Sequence, residues 1–161
     1  MNKDYVYYAA YGADILPDRM MRYCPGAIYV GFAQIKNYRL VFRGSAGMAH
    51  ATLDKKARRK VPAIIYRIPW DNVRRLDDCN GFPKLCRKLD IALEVDNLFM
   101  MDPIETVEAY TYVISDDKPL NRPSATHLGY CREGYEIFRF DQKILDKACQ
   151  ESAGDGKAAI K

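Results

Sequence analysis

Apolar and polar positions alternate with period two in several short runs, and Gly, Pro or charged clusters bound each run. Residues 5–11 (Tyr5-Val6-Tyr7-Tyr8-Ala9-Ala10-Tyr11) are aromatic, Val and Ala and read as a strand that breaks at Gly12. Helix-start chemistry follows: Asp14, Pro17 and Asp18 precede Arg19-Met20-Met21-Arg22, which predicts a helix over 17–23. Pro is tolerated in a first helical turn, where its missing N–H has no partner anyway. Cys24-Pro25-Gly26 ends the helix. A strand that turns at Gly into a helix N-terminus leaves backbone N–H groups pointing outward, and these suit an anion such as a carboxylate.

Residues 28–32 and 38–43 read as further strands, and 44–47 as a loop. Residues 49–53 and 61–68 read as two more, joined by a basic loop over 54–60, with Pro62 suiting a strand start or sheet edge. Val73 and Leu76 share one face of a helix predicted over 70–79, which Asn80-Gly81-Phe82-Pro83 stops. Strands follow over 85–95 and 106–113, then a loop over 119–123. Ser124 is placed to cap a helix that runs to Arg132 and breaks near Gly134; a last helix spans 141–149. The expected domain is 1–150, and 151–161 is expected to be a disordered tail. Short strands with separate short helices, and no regular βαβ rhythm, predict an α+β fold around a curled sheet.

Composition narrows the picture. At 161 residues and 48% hydrophobic content, the chain makes one domain with a real core. A net charge of +4 is small, and its basic residues are scattered. The densest cluster, Lys55 to Lys60, reads as a solvated loop rather than a nucleic-acid surface. Twelve Tyr fit a β-rich core or a pocket with polar-tipped aromatic walls. An odd number of Cys (five), without CxxC or a leader peptide, predicts reduced thiols and a cytoplasmic protein. No apolar run is long enough to span a bilayer, so no membrane partner is expected. His50 and His127 are not spaced with the Cys residues for zinc; His127 and Cys131 share a helix face, which two-ligand geometry leaves as packing.

Three blocks in order resemble one family. Tyr8-Ala9-Ala10-Tyr11-Gly12-Ala13-Asp14-Ile15-Leu16, then Arg19-Met20 and Cys24-Pro25-Gly26-Ala27, is similar to the opening of γ-glutamylcyclotransferase-like (AIG2-like) proteins. Val61 to Tyr66 and Leu76-Asp77-Asp78-Cys79-Asn80-Gly81-Phe82-Pro83, then Lys84 to Lys88, resembles the family's strand, helix and "Leu-Asp-x-x-Glu-Gly-x-Pro" turn. Arg122-Pro123-Ser124 to Arg132-Glu133-Gly134-Tyr135 resembles its "Pro-Ser-x-x-Tyr-Leu … Glu-Gly-Tyr" helix. The resemblance implies a small closed or nearly closed mixed β-barrel with flanking helices and a pocket at one end. It implies a cofactor-free, metal-free reaction on a small γ-glutamyl compound. The α-amine attacks its own γ-carbonyl and yields 5-oxoproline plus a free amine. The substrate would contact Tyr11, Gly12, Ala13, Asp14 and Ile15 of the first turn, Gly81 of the second, and Tyr135.

The pattern departs from the family where the chemistry should be. The family's acid–base Glu is Asn80 here, and an amide hydrogen-bonds but does not shuttle a proton. Ala13 and Asp14 replace Ser and Asn of the family's first turn. Asp14 is expected to cap the following helix. His127 stands at the family's Tyr position, and near-neutral titration would make it a proton carrier. Glu133 reads as a pocket wall or a helix-end salt bridge, and Cys79 with His127 as a less favoured nucleophilic pair. Two leading readings follow: a cyclotransferase with an altered acid–base group, and a catalytically impaired homologue that binds a small polar or charged ligand in the same pocket. A third is a regulatory protein that turns its basic 55–60 segment toward an anionic partner.

Overall fold

The computed structural model describes residues 4–96 and 105–153. Its strands are β1 (Tyr5–Ala10), β2 (Ile28–Arg43), β3 (His50–Pro69), β4 (Arg87–Val95) and β5 (Glu105–Val113). Its helices are α1 (Pro17–Tyr23), α2 (Trp70–Asn80), α3 (Ala125–Ile137) and α4 (Gln142–Ser152), with a short 3-10 turn at Ala13–Ile15 between β1 and α1. The strands lie in the order β2-β3-β1-β5-β4. β1 and β5 run parallel, and the other neighbours antiparallel. The two edges nearly meet: Phe32 and Asp96 exchange backbone hydrogen bonds of 3.0 and 2.9 Å. The result is the expected α+β fold with a nearly closed mixed barrel. Ala9, Ala10, Ile35, Ile64, Ile65 and Ile68 are fully buried in the core, which occupies both faces of the sheet.

Three expectations need correction. The separate strands at 28–32 and 38–43 are one strand, and 49–53, the basic "loop" and 61–68 are also one. The register explains the difference. Lys36 faces Lys60 but Tyr38 faces Lys55, so residues 56–59 bulge out of the ladder. Asn37 and Arg58 take positive φ there, of 67° and 68°. A bulge of this kind breaks the period-two signal. It does not end the pairing.

Second, α3 does not break at Gly134. It continues to Ile137, with Gly134 buried against the 3-10 turn. A Cβ at that position would lie 2.8 Å from Ile15 Cγ2, so the glycine permits close packing rather than a chain break. Third, the last helix does not stop at Cys149. α4 runs through Ser152, whose buried hydroxyl accepts the Phe42 N–H at 2.7 Å. The same end of α4 carries Glu151, which pairs with Arg59 at 2.8 Å and Arg39 at 3.2 Å. The expected tail over 154–161 lies outside the described residues. No described helix is long and apolar enough to cross a membrane.

Gly134→Ala forces the new methyl group into Ile15 and is expected to lower unfolding stability by about 1–3 kcal/mol, as overpacking does. Urea denaturation measures this, and an unchanged or raised midpoint contradicts the packing role.

Candidate functional site

The barrel brings two distant turns together. β3 runs antiparallel to β1 and ends at Pro69 opposite Tyr5, the first residue of β1. α2 begins at the next residue and returns along β1. Its 11 residues rise roughly 16 Å, close to the roughly 20 Å of the six-residue strand. The C-terminus of α2 therefore arrives level with the turn that follows β1. Gly81 ends α2 in a left-handed conformation (φ 73°), a C-cap that glycine adopts without steric cost. Its N–H donates to the Asp78 carbonyl and that of Phe82 to Asp77, so the chain leaves sharply and Asn80 faces the first turn.

The first turn is held as firmly. The Tyr11 hydroxyl donates to the Tyr112 carbonyl. Gly12 sits against β3, where a Cβ would come within 2.9 Å of Ala51 Cβ. The Ile15 N–H closes on the Gly12 carbonyl at 3.1 Å. Between the turns lies a cavity of about 520 Å³. Tyr11, Gly12, Ala13, Asp14, Asn80, Gly81 and His127 all line it. Arg43, Ser45, Met48, Leu85, Lys118 and Pro119 line it as well. Arg43 ties two of its wall segments together: it pairs with Asp54 at 2.8 Å and donates to the Lys118 carbonyl at 2.7 Å.

Asp14 is the electrostatic centre of the cavity. It does not cap α1, whose N-cap position is Leu16 with no side-chain cap. It is instead buried, at 8% exposure. Its Oδ2 accepts the Tyr8 hydroxyl at 2.7 Å and Asn80 Nδ2 at 3.3 Å; Oδ1 lies 3.9 Å from Arg19 Nη2. Asn80 Nδ2 also donates to the Leu76 carbonyl at 3.0 Å, which fixes the amide with its nitrogen toward Asp14. Burial, then the Asp14 charge, pushes the Tyr8 hydroxyl well above the ordinary phenol range. Burial raises Tyr112 most, and its hydroxyl donates to Asp77, a carboxylate that Lys88 also holds at 3.0 Å.

His127, the expected proton carrier, lines the cavity with its ring already engaged. His127 Nε2 lies 3.2 Å from the Ala51 N–H and accepts it. Its ring is 4.5 Å from that of His50 and packs edge-on to Phe42. Burial first, then His50 and Arg19, holds its pKa down to about 4. It is neutral at physiological pH, with the nitrogen that would take a proton already occupied. The Ser124 cap on α3 is present and accepts the His127 N–H at 3.0 Å.

Two other expected contact residues lie off the cavity. The Ile15 side chain is fully buried against Gly134, and its carbonyl accepts the Tyr66 hydroxyl at 3.1 Å. Tyr135 is fully buried and packs edge-to-face on Phe140. Glu133 is exposed on α3, not a cavity wall. Cys79 lines the cavity, but burial raises its thiol pKa and it makes no hydrogen bond to His127 among the described residues. Cys131 does share a face with His127, at 3.9 Å from Nε2. The described residues hold no group of three or more potential metal ligands.

Tyr8, Arg19, His50, Cys86 and Tyr112 also line the cavity, and sequence reasoning did not select them. Tyr8 carried one usable signal: it shares a strand face with Ala10, at the end of the strand that enters the first turn.

Solved structures share this architecture. A structure described as a gamma-glutamyl cyclotransferase superposes with a TM-score of 0.76 at 16% identity, over 90% of this chain and 86% of that one. The human uncharacterized protein loc79017 gives 0.73 at 17% identity, over 91% and 87%. YkqA from Bacillus subtilis gives 0.75 at 20% identity, over 91% of this chain and 55% of that one. At these identities the likeness is one of fold. No protein-family model and no curated protein matches the chain.

Two measurements check the site's geometry. The folded-state pKa of His127, about 4, lies below the ordinary 6.5, so the unfolded chain binds its proton first on acidification. This part of the stability is whole above about pH 6.5 and falls as pH drops, by up to about 3 kcal/mol near pH 4. His127→Gln, which keeps an acceptor for the Ala51 N–H, is expected to flatten that slope in denaturation curves; an unchanged slope contradicts the burial of a neutral imidazole. The Tyr135 hydroxyl has no hydrogen-bond partner among the described residues. Tyr135→Phe is therefore expected to leave stability unchanged or raise it by about 1 kcal/mol. A loss of that size by thermal or urea unfolding contradicts the unpaired hydroxyl.

Proposed function

We propose that the chain is a γ-glutamylcyclotransferase-like protein whose cavity takes a γ-glutamyl amine or peptide and converts it to 5-oxoproline and a free amine. One observation carries this reading: the turn after β1 and the end of α2 meet across one cavity, with the buried Asp14 carboxylate held by the half-buried Asn80 amide at their junction. A cavity of about 520 Å³ suits a small molecule. The reaction is intramolecular, so positioning supplies much of the rate. Folding the flexible glutamyl arm brings the amine to its own carbonyl, and the aromatic walls of Tyr8, Tyr11 and Tyr112 keep bulk water away from it. Arg19 adds positive charge to the cavity lining, which suits the substrate's α-carboxylate.

The second reading is a homologue with impaired catalysis that holds a small polar ligand. Asn80 favours it, because the second turn offers an amide in place of an acid–base group.

The experiment is direct. The protein is incubated with a panel of γ-glutamyl amines and γ-glutamyl amino acids, and 5-oxoproline is quantified. The proposal expects product from at least one member. No product, with a rise in melting temperature on adding the same compounds, supports the ligand-holding reading. Neither product nor shift overturns both. Asn80→Glu is expected to lower any activity: it sets a second carboxylate about one hydrogen bond from Asp14, and like charges at that distance force one of the pair to take up a proton. A gain in 5-oxoproline with Asn80→Glu places the missing acid–base group at residue 80 instead.

A further inference from the structure

The cyclisation needs a group that accepts a proton from the α-ammonium and returns one to the leaving amine. The cavity can be searched for it residue by residue. His127 is neutral with Nε2 engaged by Ala51, and burial lowers His50 as well. Burial raises the thiols of Cys79 and Cys86, the latter to about 11. Tyr8, Tyr11 and Tyr112 are all pushed up by burial and stay protonated. Asn80 does not titrate in the useful range. Two acidic residues line the cavity, Asp14 and Asp78, and Asp78 is exposed on α2. Asp77, their neighbour, is held by Lys88 and the Tyr112 hydroxyl. The buried carboxylate left is Asp14.

Its two oxygens are not equivalent. Oδ2 takes both hydrogen bonds, from Tyr8 and Asn80. Oδ1 accepts none among the described residues and has only the 3.9 Å ion pair to Arg19. Oδ1 is thus the open acceptor on a carboxylate whose orientation is already fixed. We propose that Asp14 is the proton carrier of the cyclisation and that Asn80 is a positioning residue that holds it. This rests on the function proposed above and assigns its chemistry to a different turn from the one the family pattern indicates.

The step balances. Asp14 takes one proton from the α-ammonium, and the freed amine lone pair attacks the γ-carbonyl carbon to form the ring C–N bond. As the tetrahedral adduct collapses, the protonated Asp14 gives its proton to the departing nitrogen and the old amide C–N bond breaks; Asp14 then takes the second proton from the ring nitrogen and passes it to the released amine. The attacking nitrogen goes from ammonium to lactam N–H and sheds two protons; the leaving nitrogen goes from amide N–H to ammonium and gains two. Asp14 ends as it began, and no oxidant, metal or second substrate enters.

The test uses whole protein and the γ-glutamyl compound that gives most 5-oxoproline. Asp14→Asn keeps shape and is expected to cut kcat by roughly 10²–10⁴ with a smaller change in KM. Asp14→Asn with Asn80→Asp returns a carboxylate to the junction from the other turn and is expected to recover part of the loss. Tyr8→Phe guards against a variant that does not fold. It removes a donor to Oδ2, makes the carboxylate more basic, and moves the acid limb of the kcat/KM profile to higher pH. An active wild type whose Asp14→Asn variant stays within about threefold, less than a lost proton carrier costs, overturns this assignment and leaves the function standing. An acid limb unmoved by Tyr8→Phe likewise overturns it. A wild type that makes no 5-oxoproline removes the function itself, and the assignment with it.

Discussion

A carboxylate placed inside a protein must be met by donors, and here that requirement ties the two turns together. Asp14 is nearly sealed from solvent, and three residues from three separate stretches answer its charge: Tyr8 on β1, Asn80 at the end of α2 and Arg19 on α1. Breaking one partner of a buried charge leaves it uncompensated, which typically costs about 3–5 kcal/mol. The positions of β1, α1 and α2 are therefore coupled through one side chain. Arg19 is itself seated between the rings of Tyr23 and Tyr130, at 5.1 and 4.7 Å, which draws α3 into the same arrangement.

The barrel provides the frame for this junction. Antiparallel pairing of β1 with β3 sets where α2 starts, and the length of α2 sets where it ends. The parallel pairing of β1 with β5 brings Tyr112 beside the first turn, and the Tyr11 hydroxyl fixes it there through the Tyr112 carbonyl. Close packing of α3 through Gly134 onto Ile15 presses the 3-10 turn from the other side. Each contact is ordinary. Together they leave one space lined in part by Tyr8, Tyr11 and Tyr112, whose buried carboxylate, Asp14, is oriented before any ligand arrives, which is the preorganisation that proton-transfer chemistry uses.

The architecture was largely legible in the chain. Tyr5–Ala10, α1 and α2 follow from period and punctuation, and Gly12 and Gly81 mark the two turns that face each other. The long hairpin was not legible, because the bulge at 56–59 breaks alternation and its exposed Lys and Arg look like a loop. Individual roles were harder still. Asp14 before Pro17 has the composition of a helix cap, and only the return of α2 along β1 shows that its partner is Asn80, far along the chain. His127 in a sequence reads as a titrating group; burial against Phe42 and His50 makes it a neutral acceptor. Tyr135 follows a motif but lands in the core. In each case the deciding quantity is the desolvation and hydrogen bonding that distant segments impose.

The most direct measurement is a crystal structure of the protein with 5-oxoproline in the cavity. The account predicts the lactam nitrogen within hydrogen-bond distance of Asp14 Oδ1, with the ligand carboxylate toward Arg19 and the backbone of the first turn. A ligand bound with its nitrogen turned away from Asp14, or bound outside the space between Gly12 and Asn80, would contradict it.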